Sequence, residues 1–300
     1  MKKKVIAAAV IAMLAFAFTA CERTADESRK PETAAQTEAP AYETVVAVSK
    51  SIGDLWLLAG GKLAGITEDG QELPYLNEDA AMIGTVTNPS VEAIVALEPD
   101  MVLLSGELPT HAKLQETLES KGINCKAVSI DSFEDYAEVM KEFTGYTERE
   151  DCYQENVVQV SGKIEGIKAR AAGSDLKTGT YLALRVSATK NKALKDSYFA
   201  CEIFNDLGLT NIAQDNSIFD ELNVEAIVAA DPQIIFVIEQ GRSSEAQNSF
   251  TENFAGKAAW KELTAVKNGD VYTLPKDLFQ YKPNAEWDRA YEYVFELLEK

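Results

Sequence analysis

Histidine occurs once in the 300 residues, at His111. One imidazole cannot build an N-rich site for a free transition-metal ion. Cysteine is almost as scarce, at four residues. With Cys21 set aside, Cys125, Cys152 and Cys201 are odd in number and cannot form a complete disulfide framework. There is no CxxC pair and no His/Cys cluster to suggest zinc. Free cysteines of this kind are expected to pack as small buried hydrophobes. Positive charge is short as well: 29 Lys and Arg face 48 Asp and Glu, a formal net charge of −19. That balance argues against nucleic acid as a partner, because phosphate backbones need a basic face. It leaves room for a locally basic pocket. Beyond residue 20 no apolar run reaches the ~20 residues a membrane span requires. Nucleophile-elbow, Walker, GxGxxG and HExxH motifs are all missing. The chain is therefore expected not to be an enzyme. A secreted α/β hydrolase using an Asp/Glu pair is a distant alternative, and a structural surface adhesin another.

What is present begins at the N-terminus. Lys2, Lys3 and Lys4 precede an apolar run over residues 5–20, broken only by Thr19. Its length and flanks are those of a signal peptide. It ends in Phe18-Thr19-Ala20-Cys21, which resembles the lipobox of bacterial lipoproteins, with Phe18 where Leu is usual. The resemblance implies cleavage before Cys21 and a lipid on that cysteine. Residues 22–41 are rich in Ala, Thr and Glu, contain Pro31 and Pro40 and have no aromatic residue. Such a stretch cannot offset its ordering entropy by burial and reads as a flexible tether.

The remaining residues carry an internal repeat. Val91-Glu92-Ala93-Ile94-Val95-Ala96-Leu97-Glu98-Pro99 recurs as Val224-Glu225-Ala226-Ile227-Val228-Ala229-Ala230-Asp231-Pro232, with seven of nine positions identical. Ser90 and Asn223 stand before the copies as N-caps, and an apolar strand pattern follows each. Two copies so far apart indicate two similar lobes rather than a solenoid. Strand patterns at 45–48, 63–66, 101–104, 125–130, 181–186, 234–238 and 271–274 alternate with helical ones, which implies mostly parallel sheets. Between the lobes, residues 148–172 contain no proline and place Tyr153, Val157, Val160, Ile164, Ile167 and Ala171 on one apolar stripe. A helix of that length, about 37 Å, can brace both lobes.

From residue 45 onward the chain resembles the substrate-binding proteins of ABC importers for iron complexes and cobalamin. The residues that carry this are Gly84-Thr85, the first repeat copy through Pro99-Asp100-Met101-Val102, and Ala265-Val266-Lys267-Asn268-Gly269-Asp270-Val271-Tyr272. The resemblance implies an α/β fold of two Rossmann-like lobes joined by a single long helix. It divides the chain into a signal peptide (1–20), a lipidated tether (21–42), an N-terminal lobe (43–147), a linking helix (148–173) and a C-terminal lobe (174–300). It also implies an extracytoplasmic, membrane-anchored monomer. Its partners would be an ABC permease dimer with ATPase subunits and a small-molecule metal complex. There would be no intrinsic cofactor and no metal site. The cargo would be a ferric chelate, iron–siderophore first, with haem or cobalamin as alternatives. A lone helix across the cleft resists large hinge motion, so closure on the ligand is expected to be modest.

In that family the ligand lies between the lobes, on loops at the carboxyl ends of the strands, as is general for open α/β sheets. Here those loops hold residues 49–50, 67–68, 85–88, 105–107, 185–190, 239–242 and 276–282. Lys50, Thr85, Arg185 and Arg242 are the polar candidates, the arginines because a guanidinium fork suits an anionic chelate. Tyr75, Phe279, Tyr281 and Trp287 are the aromatic candidates for stacking. His111 is a weak candidate for a haem axial ligand; its other reading is an exposed helix residue. Glu92 and Glu225, at equivalent places in the repeat, are implied to dock on the two-fold permease. Each also suits the first turn of its helix.

Overall fold

The computed structural model describes residues 42–214 and 222–299. The signal segment, Cys21 and the tether up to residue 41 lie outside the described residues.

The N-terminal sheet has five parallel strands: β1 (Val45–Ala47), β2 (Gly65–Ile66), β3 (Ala81–Met82), β6 (Met101–Ser105) and β7 (Cys125–Val128). Their order is β3-β2-β1-β6-β7. A small antiparallel hairpin, β4 (Gly84–Thr85) with β5 (Asn88–Pro89), interrupts the series in the chain. The C-terminal sheet is built from β8 (Gly179–Val186), β9 (Asn191–Ala193), β10 (Leu209–Asn211), β11 (Ile234–Glu239) and β12 (Val271–Thr273). Its order is β10-β8-β11-β12, all parallel, with β9 antiparallel against the end of β8. These are the two α/β lobes that the alternating pattern implied.

The central strands β6 and β11 are apolar throughout except at their last residues, Ser105 and Glu239, because both sheet faces are covered. Side chains alternate between faces. In β6, Met101 and Leu103 face one hydrophobic cluster while Val102 and Leu104 face another. In β11, Ile234, Phe236 and Ile238 enter that same first cluster, while Ile235 and Val237 enter a third. One face of each sheet thus contributes to a shared core, and each lobe has an outer core of its own.

The linking helix completes the shared core with Val157, Val160, Ile164 and Ile167. It runs from Glu150 to Gly173, with one π-helical turn at Gln154–Val158. It does not begin at residue 148, because Glu148 has φ +55° and ends the preceding helix, Phe133–Thr147. At the π turn, where backbone hydrogen bonds run i→i+5, Tyr136 Oη donates to Asn156 O (2.9 Å) and Asn156 Nδ2 to Leu58 O (3.0 Å). The helix is thereby tied to the N-terminal lobe. Among the described residues, no helix is long and apolar enough to cross a membrane.

Only Cys201 of the three later cysteines is fully buried; Cys125 and Cys152 are half-buried. Burial pushes the Cys125 thiol up to about 11 and Cys201 up to about 12.

Candidate functional site: the interlobe cleft

The loops at the carboxyl ends of β1, β2, β6 and β7 converge on one cavity of about 240 Å³. Ser49 and Ser51 follow β1, Asp69 follows β2, Ser105 and Glu107 close β6, and Ile130 follows β7. The opposite wall comes from the C-terminal lobe as Gln280, Tyr281 and Lys282. A second cavity of about 410 Å³ adjoins it and shares Ser51, Tyr281 and Lys282. Its walls are helix Lys50–Leu58, Tyr75, Asn156 of the π turn and Asn284. Its volume lies in the ~300–1,000 Å³ range usual for small-molecule sites.

Local chemistry holds these loops. Asp69 accepts from Lys50 N (3.0 Å) and from Thr67 Oγ1 (2.6 Å), joining the β1 and β2 loops. His111 does the same for the other side. Its Nδ1 accepts from Ser105 N (3.0 Å), which makes it the Nε2–H tautomer, and Nε2 donates to Val86 O (2.9 Å). It therefore pins the β4–β5 hairpin to the β6 loop. His111 is fully buried with both ring nitrogens engaged. It is neither an exposed helix residue nor a haem ligand, because the hairpin folds over it.

Burial holds the His111 imidazole below its ordinary 6.5. The unfolded chain then takes up the proton first. The resulting stability is complete above about pH 6.5 and is lost as pH falls toward the depressed folded value. As the chain's one histidine, it can be isolated by comparison. Urea unfolding from about pH 7 to 5 is expected to show this loss in the parent protein and not in His111→Gln; parallel curves would count against a neutral buried imidazole.

Several contacts cross the cleft. Lys282, with its side chain 16% exposed, lies 2.9 Å from Glu107 and 3.8 Å from Asp131, and donates to Ile130 O. Asn284 Nδ2 donates to Ser51 O (3.0 Å) and Asp54 Oδ2 (2.7 Å). Burial, opposed by that hydrogen bond, keeps the Asp54 carboxyl above its usual range. Glu202 of the C-terminal lobe accepts from Phe133 N at 2.9 Å.

Of the candidates read from sequence, Lys50 and Tyr281 meet in the cleft, the ammonium 5.4 Å from the ring centroid. Tyr75, 70% exposed, stands at the larger cavity. Thr85 is exposed on β4, and its neighbour Val86 lines the smaller cavity instead. Arg185 is half-buried near the carboxyl end of β8. Arg242 lies outside both cavities: its side chain is 83% exposed and pairs with Glu245. Gly241, at φ +76°, turns the chain just before it.

Phe279 and Trp287 are not cleft residues. Both are completely buried in the shared core, where Phe279 stacks on Phe204 and Trp287 packs edge-on to Phe133 and Phe199. Asn284 and Asp69 were missed from sequence. The signal for Asn284 is the Pro283-Asn284 pair, since Asn tolerates the left-handed region and has φ +50° here. For Asp69 it is the Thr-Glu-Asp-Gly turn.

Glu92 and Glu225 are exposed in the first turns of helices Val91–Ala96 and Val224–Ala230. Ser90 Oγ and Asn223 Oδ1 cap these helices as expected, accepting from Ala93 N and Ala226 N. The equivalent Val95 and Val228 are each 37% exposed.

Known proteins are similar to this chain in sequence and in fold. Over 206 residues the chain is 26% identical to the Fe(3+)-citrate-binding protein YfmC of Bacillus subtilis (strain 168), covering 66% of this chain and 61% of that one. The match thus spans less than two thirds of the Bacillus protein. Over 258 residues it is 24% identical to the high-affinity heme uptake system protein IsdE of Staphylococcus aureus (strain MRSA252), covering 86% of each. The fold is that of an ABC transporter substrate-binding protein from Listeria monocytogenes EGD-e. That likeness has a TM-score of 0.74 and 24% identity, over 85% of this chain and 98% of the other. A family model for periplasmic binding proteins matches residues 45–278, which take in strands of both sheets. This chain belongs to the periplasmic binding protein family.

Proposed function

We propose that the protein is the extracytoplasmic substrate-binding lipoprotein of an ABC importer. It captures a ferric chelate, iron–siderophore first, and delivers it to a permease dimer with its ATPase subunits. Cys21 carries the lipid anchor, and Glu92 and Glu225 address the two permease subunits. The observation that supports this best is the cleft itself. Loops at the carboxyl ends of one parallel sheet face a C-terminal-lobe loop across two adjoining cavities that Lys50, Tyr281 and Lys282 help to line. A preformed chelate needs hydrogen bonds and charge from such walls and no protein ligand to its metal.

A second reading, haem, draws on Tyr75, whose side chain is exposed at the larger cavity and could serve as a phenolate axial ligand. Calorimetric titration of the exported domain with ferric siderophores, haem and cobalamin tests both. A tight one-to-one complex with a ferric siderophore and no turnover is expected. Binding of haem alone, with a Tyr75→Phe change in its absorbance spectrum, would select the second reading.

A further inference from the structure

Among the described residues, three buried side-chain polar atoms have no hydrogen-bond partner: Gln280 Oε1, Asn284 Oδ1 and Trp287 Nε1. The first two are amide oxygens on the C-terminal-lobe segment that walls both cavities. What each of these oxygens lacks is a donor. A buried acceptor left unsatisfied is costly, so an orphan of this kind calls for an explanation. Asn284 is 2% exposed and lines the larger cavity. Its Nδ2 is spent on Ser51 O and Asp54 Oδ2, which leaves only Oδ1 to offer.

The charge around the larger cavity points the same way. Asp54 accepts from Asn284 and pairs with no Lys or Arg among the described residues. Glu286 is engaged by Arg289, and Lys282 is turned away to Glu107 and Asp131. That leaves the Asp54 and Asp277 carboxylates against the Lys50 ammonium. Lys50 lies over the Tyr281 ring, 5.4 Å from its centroid, and ion-pairs with neither carboxylate. One further positive charge closes the balance. Tyr75, 70% exposed at the same cavity, offers a ring face of the kind that attracts a cation.

We propose that the larger cavity is a binding site for a primary ammonium group, held by the Asp54 carboxylate and by Asn284 Oδ1. An ammonium carries three donors and no acceptor. Asp54 and Asn284 take two of the donors, and Tyr75 flanks the charge. A carboxylate or phosphate in the same place would meet two acceptors and be repelled. The cavity, at about 410 Å³, has room for an alkyl chain behind the charged end. The group belongs either to an alkylamine arm of the cargo or to a free alkylamine. In the first case the inference rests on the transport reading above; in the second it stands apart from it.

Calorimetry of the parent protein and of Asp54→Asn tests the site. The probes are 1,5-diaminopentane, a linear ferric trihydroxamate with a pendant primary amine, and the same chelate N-acetylated. Asp54→Asn keeps an acceptor for Asn284 Nδ2 and removes the charge. For an arm of the cargo, the parent should bind the amine chelate roughly 10- to 100-fold more tightly than the acetylated one, as for a hydrogen bond to a charged group. Asp54→Asn should erase that difference. For a free alkylamine, the diamine should bind the parent and lose a similar factor in Asp54→Asn. Equal affinity for the two chelates, with no binding of the diamine, would overturn the site and leave the transport reading intact. A preference or a diamine affinity that survives Asp54→Asn would overturn it too. If the diamine binds through Asp54 and neither chelate binds, the site stands and the ferric-chelate reading fails. If no probe binds, the site is overturned. Should Asp54→Asn not fold, which circular dichroism reports, two comparisons in the parent decide: the amine chelate against its acetylated form, and the diamine against 1,5-pentanediol.

Discussion

Reversing the charge at both Glu92 and Glu225 is expected to lower uptake roughly 30-fold or more, the equivalent of about 2 kcal/mol of lost interface energy. Ligand affinity should stay within about twofold, because neither residue lines a cavity of the cleft. Each glutamate is exposed in the first turn of a capped helix, at the same place in the repeat. A two-fold permease offers the same patch twice, and the two lobes offer the same carboxylate twice. A single reversal should therefore leave one contact working and reduce uptake only in part. The fold itself should change little, with about 0.3–1 kcal/mol lost at each helix N-terminus. Transport into vesicles carrying the permease, set beside calorimetric affinity, separates the two effects. Undiminished uptake by the double variant would end the docking role.

Replacing Trp287 by Ala should cost about 3–5 kcal/mol of stability. Against the ~5–15 kcal/mol of a typical domain, that is a large fraction of the total. Trp287 is 0% exposed and meets Phe133 of the N-terminal lobe and Phe199 of the C-terminal lobe, both rings near 5.8 Å and nearly perpendicular. Removing it opens a void where the two lobes share their core. Trp287→Phe should be much milder, under about 1.5 kcal/mol. The indole Nε1 has no hydrogen-bond partner, so the phenyl ring leaves no buried group newly unsatisfied. Urea unfolding of the two variants measures the contrast. If Trp287→Ala kept its stability and lost only ligand affinity, the residue would belong to the cleft after all.

The contrast between Trp287 and Tyr281 shows where sequence reading stops. Both are aromatic and both lie near a loop of the last sixty residues, and nothing in their spacing separates them. The closing helix, Trp287–Leu298, turns one toward Phe133 and Phe199, while the loop before it holds the other over Lys50. Short strands were illegible for a related reason. The strand β10 is Leu-Thr-Asn and β9 is Asn-Lys-Ala, neither with an apolar run. They are strands because β8 supplies partners for their backbone, which makes strand propensity a matter of context. His111 looked exposed because its helix, Pro109–Glu119, is a surface one by pattern; the β4–β5 hairpin that buries it comes from 25 residues earlier in the chain.

What the sequence alone determined was everything with a local physical cause. Continuous apolar runs made β6 and β11 central strands, buried on both faces. A stripe at helical spacing made the linking helix, and Ser90 and Asn223 started the two repeat helices by capping them. The tertiary structure decided which of the remaining polar and aromatic residues face the cleft. That choice depends on which side of each loop the other lobe covers: Lys282 is drawn across to Glu107, and Asn284 to Asp54. Contacts between residues more than a hundred positions apart leave no period in the sequence, so only the folded chain could bring them together.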